Sequence, residues 1–167
     1  MTPTILLLVA LILPFFIVIV SGAPYLPTRR RQVEQALDML KLKPGQTLLE
    51  LGCGDGIVIV IAAKRGIKVI GYEVNPFLWF IAWVRTRKYR KQVQVYWGDF
   101  WSKPFPSSTD AVYVFLIDHF MGRLHKKLLS EIKKCKKCIK VASYTFSIPD
   151  KKPEEQKGAI YLYKYSP

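Results

Sequence analysis

Three glycines at alternate positions, Gly52, Gly54 and Gly56, constrain the fold of this chain more than any other feature. They follow a short apolar run, 47–51, and precede a second apolar stretch that begins at Ile57. Glycine permits sharp backbone turns and leaves no Cβ between the chain and a ligand. A helix that starts after such a turn points free N–H groups at that ligand. The pattern therefore predicts a buried strand, a ligand-cradling loop and a helix in succession.

The spacing of the glycines argues against two common nucleotide-binding loops. A nicotinamide dinucleotide loop reads Gly-x-Gly-x-x-Gly, and its third glycine would fall at position 57, which is Ile57. A Walker loop ends in Gly-Lys followed by Ser or Thr, and no such sequence follows here. Glu50, two residues before the first glycine, instead adds an acidic side chain to the loop.

The rest of the chain alternates apolar strand patterns with helical patterns, which indicates an α/β fold with a mostly parallel sheet and helices on both faces. The last strand pattern has no crossover helix before it, so we expect it to pair antiparallel. Thr28 is a candidate N-cap for the first helix, and Lys43-Pro44-Gly45 is expected to end it. We expect strands at 47–51, 68–73, 92–97, 111–116, 138–146 and 159–165, and helices near 57–65, 77–87 and 120–134.

The helix expected at 77–87 is apolar on all sides over its first eight residues. Eight residues cannot span a bilayer. One interpretation is a helix buried in the core. The other is that its tryptophans rest in a membrane interface.

Acidic residues lie at or just after the ends of three predicted strands, at the sheet edge where parallel α/β folds bind ligands. Glu73 can accept hydrogen bonds from two ribose hydroxyls, or it is a solvated strand-end charge. Asp99 follows the third strand and could cap a turn. Asp118 and His119 follow the fourth strand, where a reaction partner would enter. Asp118 could orient or deprotonate that partner or cap the next helix, and His119 could be a base or a surface residue.

Fourteen of the twenty residues of the segment 4–23 are Leu, Ile, Val or Phe, and none is charged. As a helix this segment would measure about 30 Å, the thickness of a bilayer core. We expect a transmembrane anchor over 1–23, a linker and helix over 24–46, and a ligand-binding domain over 47–167. A cleaved signal peptide is the alternative, but no basic residue precedes the apolar run. Arg29-Arg30-Arg31 follow the apolar run, which predicts a single-pass protein with its domain on the cytoplasmic side.

The net charge of +14 favours contact with anionic lipid, since each basic group near such a surface contributes roughly 1 kcal/mol. Charge alone would also permit nucleic-acid binding, which we consider the weaker interpretation beside a membrane segment. Cys135 and Cys138 form a Cys-x-x-Cys pair, but no second pair at zinc-finger spacing follows, so no metal site is expected.

Taken in order, these motifs resemble class I S-adenosylmethionine-dependent methyltransferases, which have a Rossmann-like sheet. More narrowly, the chain resembles the small membrane-anchored lysine methyltransferases that act on adenine nucleotide translocase and ATP synthase c-subunit. It departs from them at Ile117-Asp118-His119 and at Lys134-Cys135-Lys136-Lys137-Cys138. The matching segments are an N-terminal membrane helix, Pro24-Tyr25-Leu26-Pro27-Thr28, Glu50-Leu51-Gly52-Cys53-Gly54-Asp55-Gly56, Glu73-Val74-Asn75-Pro76 and Gly98-Asp99-Phe100-Trp101.

The resemblance implies S-adenosyl-L-methionine as cofactor and methylation of a lysine in a membrane-associated protein. Methylation of a lipid or small molecule, and a non-catalytic cofactor-binding membrane module, remain open alternatives. Asp118, His119 and Tyr25 are the candidate catalytic residues, with Tyr25 alternatively an aromatic anchor at the membrane interface. The candidate cofactor-binding residues are Glu50, Gly52, Cys53, Gly54, Asp55, Gly56, Glu73, Asn75, Asp99 and Phe100. For Asp99 the resemblance implies an acceptor for the adenine amino group, as the alternative to a turn cap.

Overall fold

The computed structural model describes Thr4, Ile5, Leu8 and residues 28–167. Within these residues, no helix has both the length and the apolar content needed to cross a bilayer. The predicted anchor 1–23, apart from the three positions named, and the linker residues 24–27 with Tyr25 lie outside the described residues. The anchor and the role of Tyr25 therefore stay predictions.

A single seven-stranded sheet forms the centre of the described chain, with strand order β3-β2-β1-β4-β5-β7-β6. Strands β1 to β5 run parallel, and β7 pairs antiparallel with both β5 and β6. The predicted parallel sheet with an antiparallel last strand is confirmed. The strands are β1 (Thr47–Leu51), β2 (Lys68–Glu73), β3 (Val93–Trp97), β4 (Thr109–Val114), β5 (Ile139–Tyr144), β6 (Glu155–Lys157) and β7 (Ile160–Tyr165).

Within residues 28–167, four α-helices cover the two faces of this sheet. They are α1 (Arg30–Leu40), α2 (Ile57–Lys64), α3 (Pro76–Thr86) and α4 (Met121–Cys135). The first three pack on one face and α4 packs on the other. Successive strand residues point to opposite faces, so Leu48 of β1 belongs to the core under α1 and α2 while Leu49 belongs to the core under α4.

Strand and helix positions agree closely with the sequence pattern, and β1 and β2 coincide with it residue for residue. The edge strand β6 was not predicted, because its three residues are polar and all exposed and so carry no alternation of apolar side chains. The capping role of Thr28 is wrong, since Arg29 occupies the N-cap of α1 and no side chain caps that end. Helix α1 also ends at Leu40, before the predicted stop, because Lys41 adopts a left-handed conformation.

Helix α3 also differs from its predicted environment. Only Ala82 and Thr86 of its residues are buried, so the interpretation of this segment as a core helix is wrong. Small inward-facing residues bring the helix axis close to the glycine loop and leave the large apolar side chains outside.

Gly71, at the middle of β2, lies opposite Glu50 of β1 in the parallel register. A Cβ at Gly71 would stand 2.8 Å from Cδ1 of Ile59 and 3.1 Å from Sγ of Cys53. Both neighbours are buried and have little room to move. The missing side chain at Gly71 therefore allows the glycine loop and α2 to pack directly onto the sheet.

We predict that Gly71→Ala lowers the free energy of unfolding by about 1–3 kcal/mol, because the added methyl group overpacks the core. Thermal unfolding should show this as a drop of roughly 2–4 °C per kcal/mol. The matched control is Gly122→Ala in α4, where the nearest atom to the added Cβ is 3.9 Å away. That variant should unfold at or slightly above the wild-type temperature. Equal effects of the two substitutions would contradict the steric explanation.

Candidate functional site

The loop after β1 is folded back against the end of β2. The backbone N–H groups of Gly52 and Cys53 both donate to the carbonyl oxygen of Tyr72, at 3.0 and 2.9 Å, and the N–H of Gly56 donates to the carbonyl oxygen of Cys53 at 2.9 Å. Gly52, Gly54 and Gly56 all have positive φ, between 52° and 80°, where a side chain is strained. This conformation confirms the predicted strand, tight loop and helix.

The first and third glycines are required for different reasons. A Cβ on Gly52 would meet nothing within 4 Å, so the backbone there faces open space that a ligand can enter. A Cβ on Gly56 would lie 3.0 Å from Cβ of Ala82 in α3. Gly52 thus leaves room for a ligand, and Gly56 leaves room for a helix.

Glu73 connects this loop to the loop after β2. One carboxylate oxygen accepts from the N–H of Gly54 at 2.7 Å, and the other accepts from the N–H of Asn75 at 2.9 Å. Asn75 in turn caps α3, since its side-chain oxygen accepts from the N–H groups of Phe77 and Leu78. Burial raises the pKa of Glu73, and these backbone N–H groups partly offset the rise. Each carboxylate oxygen can accept a further hydrogen bond from a ligand hydroxyl.

Glu50 is the most unusual residue of the site. Its side chain is only 3% exposed, and its Oε2 has no hydrogen-bond partner among the described residues. Burial raises the pKa of this carboxyl well above its ordinary 4.5, and the charges of Glu73 and Asp55 raise it further. A buried carboxylate beside two others is unfavourable unless a cation or a donor approaches it. The site is therefore built to receive a positively charged or hydrogen-donating ligand group.

Asp55 and Cys53 hold the loop in shape. The Asp55 carboxylate accepts from the N–H of Ile57 at 3.2 Å and forms an ion pair with Arg85 of α3. Cys53 is buried, and burial together with the charge of Glu50 raises the pKa of its thiol. Both side chains are engaged by the protein, so a contact to a ligand would come from their backbone.

Asp99 and Phe100 lie after β3 at the same edge of the sheet. The Asp99 carboxylate accepts from the N–H of Trp101 at 2.9 Å and starts a 3₁₀ turn, Phe100–Ser102. The structure thus shows Asp99 capping a turn, which is one of its two predicted roles. The N–H of Gly98 donates to the Glu73 carbonyl at 2.8 Å and fixes this loop to β2. Phe100 is buried against Trp101, with ring centroids 4.5 Å apart.

Asp118 and His119 lie beyond the end of β4, in the 3₁₀ turn Asp118–Phe120 that leads into α4. Both side chains are exposed. Neither the N-cap of this turn nor that of α4 has a side-chain hydrogen bond, so the helix-cap interpretation of Asp118 is wrong. His119 stacks edge-on against Phe120 at 5.2 Å. Their catalytic roles stay predictions, as does that of Tyr25.

Tyr113 of β4 belongs to the site and was missed from the sequence. It lies opposite Glu50 in the parallel register and is 2% exposed, and its hydroxyl makes no hydrogen bond within the described chain. Burial raises its pKa, and the charges of Glu50 and Tyr144 raise it further. The register of the neighbouring strands β1 and β4 places residue 113 beside residue 50, and no pattern in the sequence indicates that register.

The described residues contain no group of three or more His, Cys, Asp or Glu side chains that could hold a metal ion. Cys135 and Cys138 are free thiols.

The sheet order, the glycine loop and the acids at the carboxyl ends of β1, β2 and β3 define a Rossmann-like methyltransferase fold. A solved RNA methyltransferase from Salinibacter ruber, in complex with S-adenosyl-L-homocysteine, has this fold at a TM-score of 0.71 and 22% identity, covering 84% of this chain and 92% of its own. A geranyl diphosphate methyltransferase in complex with SAM matches at a TM-score of 0.56 and 24% identity, covering 68% of this chain and 48% of its own.

Residues 50–155 match the family model of the ANTKMT methyltransferase domain, and the chain belongs to that family. The resemblance noted from the sequence motifs is thereby confirmed. The lysine N-methyltransferase of the ATP synthase c-subunit from Homo sapiens is 34% identical over 113 residues, which are 65% of this chain and 47% of that protein. The corresponding protein of Rattus norvegicus is 32% identical over 139 residues, 81% of this chain and 61% of that protein.

The chain thus spans about half the length of the human relative. A protein-lysine N-methyltransferase of Saccharolobus islandicus is closer in size. It is 29% identical over 156 residues, which are 86% of this chain and 94% of that protein.

We predict that Glu50→Gln raises the unfolding temperature of the ligand-free protein. Because the pKa of Glu50 is higher in the folded than in the unfolded state, the wild type loses stability as pH rises from the ordinary pKa of 4.5 towards the folded-state value. The gain of the variant should be absent below about pH 4 and should grow above it, by roughly 2–4 °C per kcal/mol regained. Thermal unfolding followed by circular dichroism at several pH values measures it.

The contrasting variant is Glu73→Gln, which replaces an oxygen that accepts from a backbone N–H with a second donor. Burial also raises the pKa of Glu73, but its carboxylate accepts two backbone N–H groups, one of which the new amide N–H₂ would oppose. The variant should therefore lower the free energy of unfolding at neutral pH by about 1–3 kcal/mol, and with it the unfolding temperature. A stabilised Glu73→Gln, or a destabilised Glu50→Gln, would contradict the assignment of the two carboxylates.

Proposed function

We propose that this chain is an S-adenosylmethionine-dependent protein-lysine N-methyltransferase that acts on a membrane-associated protein. The single observation that carries the proposal is the buried carboxylate of Glu50, without a partner among the described residues, beside a glycine loop that faces open space. Membership of the ANTKMT methyltransferase domain family supports the reaction class. The names of relatives such as the Saccharolobus islandicus protein support a lysine acceptor.

The residues present fit the cofactor. S-adenosylmethionine, when bound, supplies a methyl group that its sulfonium already activates. Its amino-acid portion carries an ammonium group, which would satisfy Glu50. The spare acceptor capacity of Glu73 suits ribose hydroxyls, and Asp99 with Phe100 offers an acceptor and an apolar surface for adenine. The backbone at Gly52 and Gly54 allows close approach.

The remaining chemical task of the chain is to prepare the acceptor. A lysine with an ordinary pKa near 10.4 must lose a proton before it can attack, at a cost of about 4.6 kcal/mol at pH 7. An apolar setting lowers this cost, because it disfavours the ammonium form. We propose that Asp118 orients the amine or accepts its proton, with His119 as the alternative and Tyr25 closing over the acceptor.

We propose further that residues 4–23 anchor the protein by a single pass, with the domain on the cytoplasmic side. The support is the uninterrupted apolar composition of this segment and the Arg29-Arg30-Arg31 cluster behind it. An anchored enzyme would meet acceptors that lie at the membrane.

The full-length chain should transfer labelled methyl groups from S-adenosylmethionine to protein in native membranes, and acid hydrolysis should release the label as methyllysine. Label found only in lipid would favour the alternative of a lipid or small-molecule acceptor, and label only in RNA would also refute the lysine assignment. Tight cofactor binding without turnover on any membrane extract would favour the non-catalytic module.

Asp118→Asn should separate the acceptor side from the cofactor side. We expect kcat to fall by about 10²–10⁴-fold, the usual range for a lost proton acceptor, while the Kd for the cofactor stays unchanged. Glu50→Gln should instead change the cofactor Kd. We expect it to weaken cofactor binding by about 10–150-fold, since a hydrogen bond to a charged group contributes about 1.5–3 kcal/mol. Isothermal titration calorimetry gives the Kd, and methyllysine formation gives kcat. An unchanged kcat in Asp118→Asn would remove Asp118 from the reaction.

A further inference from the structure

Helix α3 turns an apolar stripe towards solvent. Phe77, Phe80, Ile81 and Val84 are 60%, 55%, 43% and 47% exposed. Their spacing of three and four residues places them on one side of the helix. In most surface helices a stripe with this spacing packs on the core, and here it lies opposite the buried Ala82.

The outward orientation of this stripe is built into the fold. On the inner side, Ala82 meets Gly56 at the distance of direct packing, and the Thr86 hydroxyl donates to the Ala82 carbonyl at 2.8 Å. Asn75 caps the N-terminal end, and the Arg85–Asp55 ion pair holds the C-terminal half to the glycine loop. A rotation that buried the stripe would break the packing of Gly56 on Ala82 and the Arg85–Asp55 ion pair.

Two tryptophans extend the apolar surface. Trp83 is 42% exposed and stacks on Phe80, with ring centroids 6.0 Å apart. Trp97, at the end of β3, is 62% exposed and donates through its indole N–H to the carbonyl of Val74 at 3.0 Å. Trp79 links the two regions, since its ring lies 6.3 Å from that of Trp97.

Basic side chains border the same surface. Arg87, Lys88, Arg90 and Lys91 are exposed and form no ion pair within the described residues. No Asp or Glu occurs anywhere between Pro76 and Gly98.

A cavity of about 160 Å³ lies at the junction of the apolar and basic parts. Its lining includes Trp83, Arg87 and Arg90, and the Arg87 guanidinium lies 5.1 Å from the centroid of the Trp83 ring. Guanidinium groups bind phosphate in a bidentate manner, so a pocket with two arginines suits a phosphate-bearing head group.

We infer that this surface of α3 binds an anionic lipid bilayer directly. The apolar side chains enter the interface between head groups and acyl chains, and the Arg87–Arg90 cavity receives a lipid phosphate. The exposed aromatic rings of this surface would suit either bases or lipid, but aliphatic Ile81 and Val84 lie among them and suit acyl chains alone, which favours lipid over RNA. We call this region the α3 surface, defined by Phe77, Phe80, Ile81, Trp83, Val84, Trp97, Arg87, Lys88, Arg90 and Lys91.

The α3 surface differs from the proposed anchor and does not depend on methyl transfer. It also orients the site, because Asn75, the N-cap of α3, donates its N–H to the Glu73 carboxylate. A bilayer seated on α3 therefore lies beside the loops that form the cofactor cleft. A domain seated in this way opens its site towards acceptors at the membrane.

The test measures the emission of Trp83 in the full-length chain added to phosphatidylcholine–phosphatidylserine vesicles with brominated acyl chains. Each protein is compared with its own Trp83→Phe form, so that the difference reports Trp83 alone. We expect brominated lipid to quench this difference signal by about half relative to unbrominated lipid. Vesicles of phosphatidylcholine alone should quench it much less.

Two variants probe the two parts of the surface, each with a matched control. Ile81→Ser/Val84→Ser should abolish the quenching, whereas Leu129→Ser, at an equally exposed apolar position on α4, should leave it unchanged. Arg87→Gln/Arg90→Gln should remove the dependence on phosphatidylserine, whereas Lys41→Gln/Lys43→Gln should retain it. All substituted positions are exposed, so unfolding temperatures should stay near that of the wild type.

Several results would overturn the inference. Trp83 could remain unquenched although the protein co-sediments with vesicles, which would show that an anchor holds it while α3 faces water. Trp83 could be shielded from iodide without any lipid, which would show that another protein segment covers it. RNA could displace the quenching by lipid, which would show a nucleic-acid surface. No cofactor or acceptor is present, so failure of the proposed methyl transfer does not affect the readout.

Discussion

The carboxylate of Glu73 joins two loops that a parallel sheet would otherwise leave independent. It accepts the N–H of Gly54 from the loop after β1 and the N–H of Asn75 from the loop after β2. Asn75 starts α3, and Gly98, which opens the loop after β3, donates to the Glu73 backbone. Three loops thus depend on one residue, and the cleft between them has a defined shape before any ligand arrives.

The same arrangement carries an electrostatic cost at Glu50. Burial and the neighbouring charges of Glu73 and Asp55 oppose its ionisation, and no described donor satisfies its Oε2. Tyr113 adds, on the adjacent strand, a second buried polar atom without a partner in the described chain. Unsatisfied groups of this kind reduce the stability of the fold, and they persist where a ligand completes them. The stability lost by burying Glu50 would be regained when a cationic ligand group binds beside it.

The two sides of α3 show how a site and a surface share one helix. Small residues on its inner side let the glycine loop approach, and Gly56 meets Ala82 directly. The large apolar side chains then have no room inside and project outward beside a row of basic residues. The close contact between Gly56 and Ala82 therefore has two consequences: α3 packs tightly against the glycine loop, and its outer side exposes apolar side chains beside basic ones.

By itself, the sequence determined the local elements and the family. Strands β1 and β2 were predicted residue for residue, because buried apolar runs between glycine and charged residues leave little freedom in where they begin and end. Local spacing also identified the glycine loop and the acids Glu50, Glu73 and Asp99. The polar edge strand β6 escaped prediction, since exposed residues carry no pattern of burial.

Only the tertiary structure decided what these residues touch. In the folded chain the Asp55 carboxylate pairs with Arg85, and Tyr113 lies opposite Glu50 on the neighbouring strand. The large apolar side chains of α3 face solvent. A helix that is apolar on all sides has no preferred face in the sequence, so its orientation depends on which small residue meets Gly56. Strand register and helix rotation arise from contacts between residues far apart in the chain, and spacing along the chain does not encode those contacts.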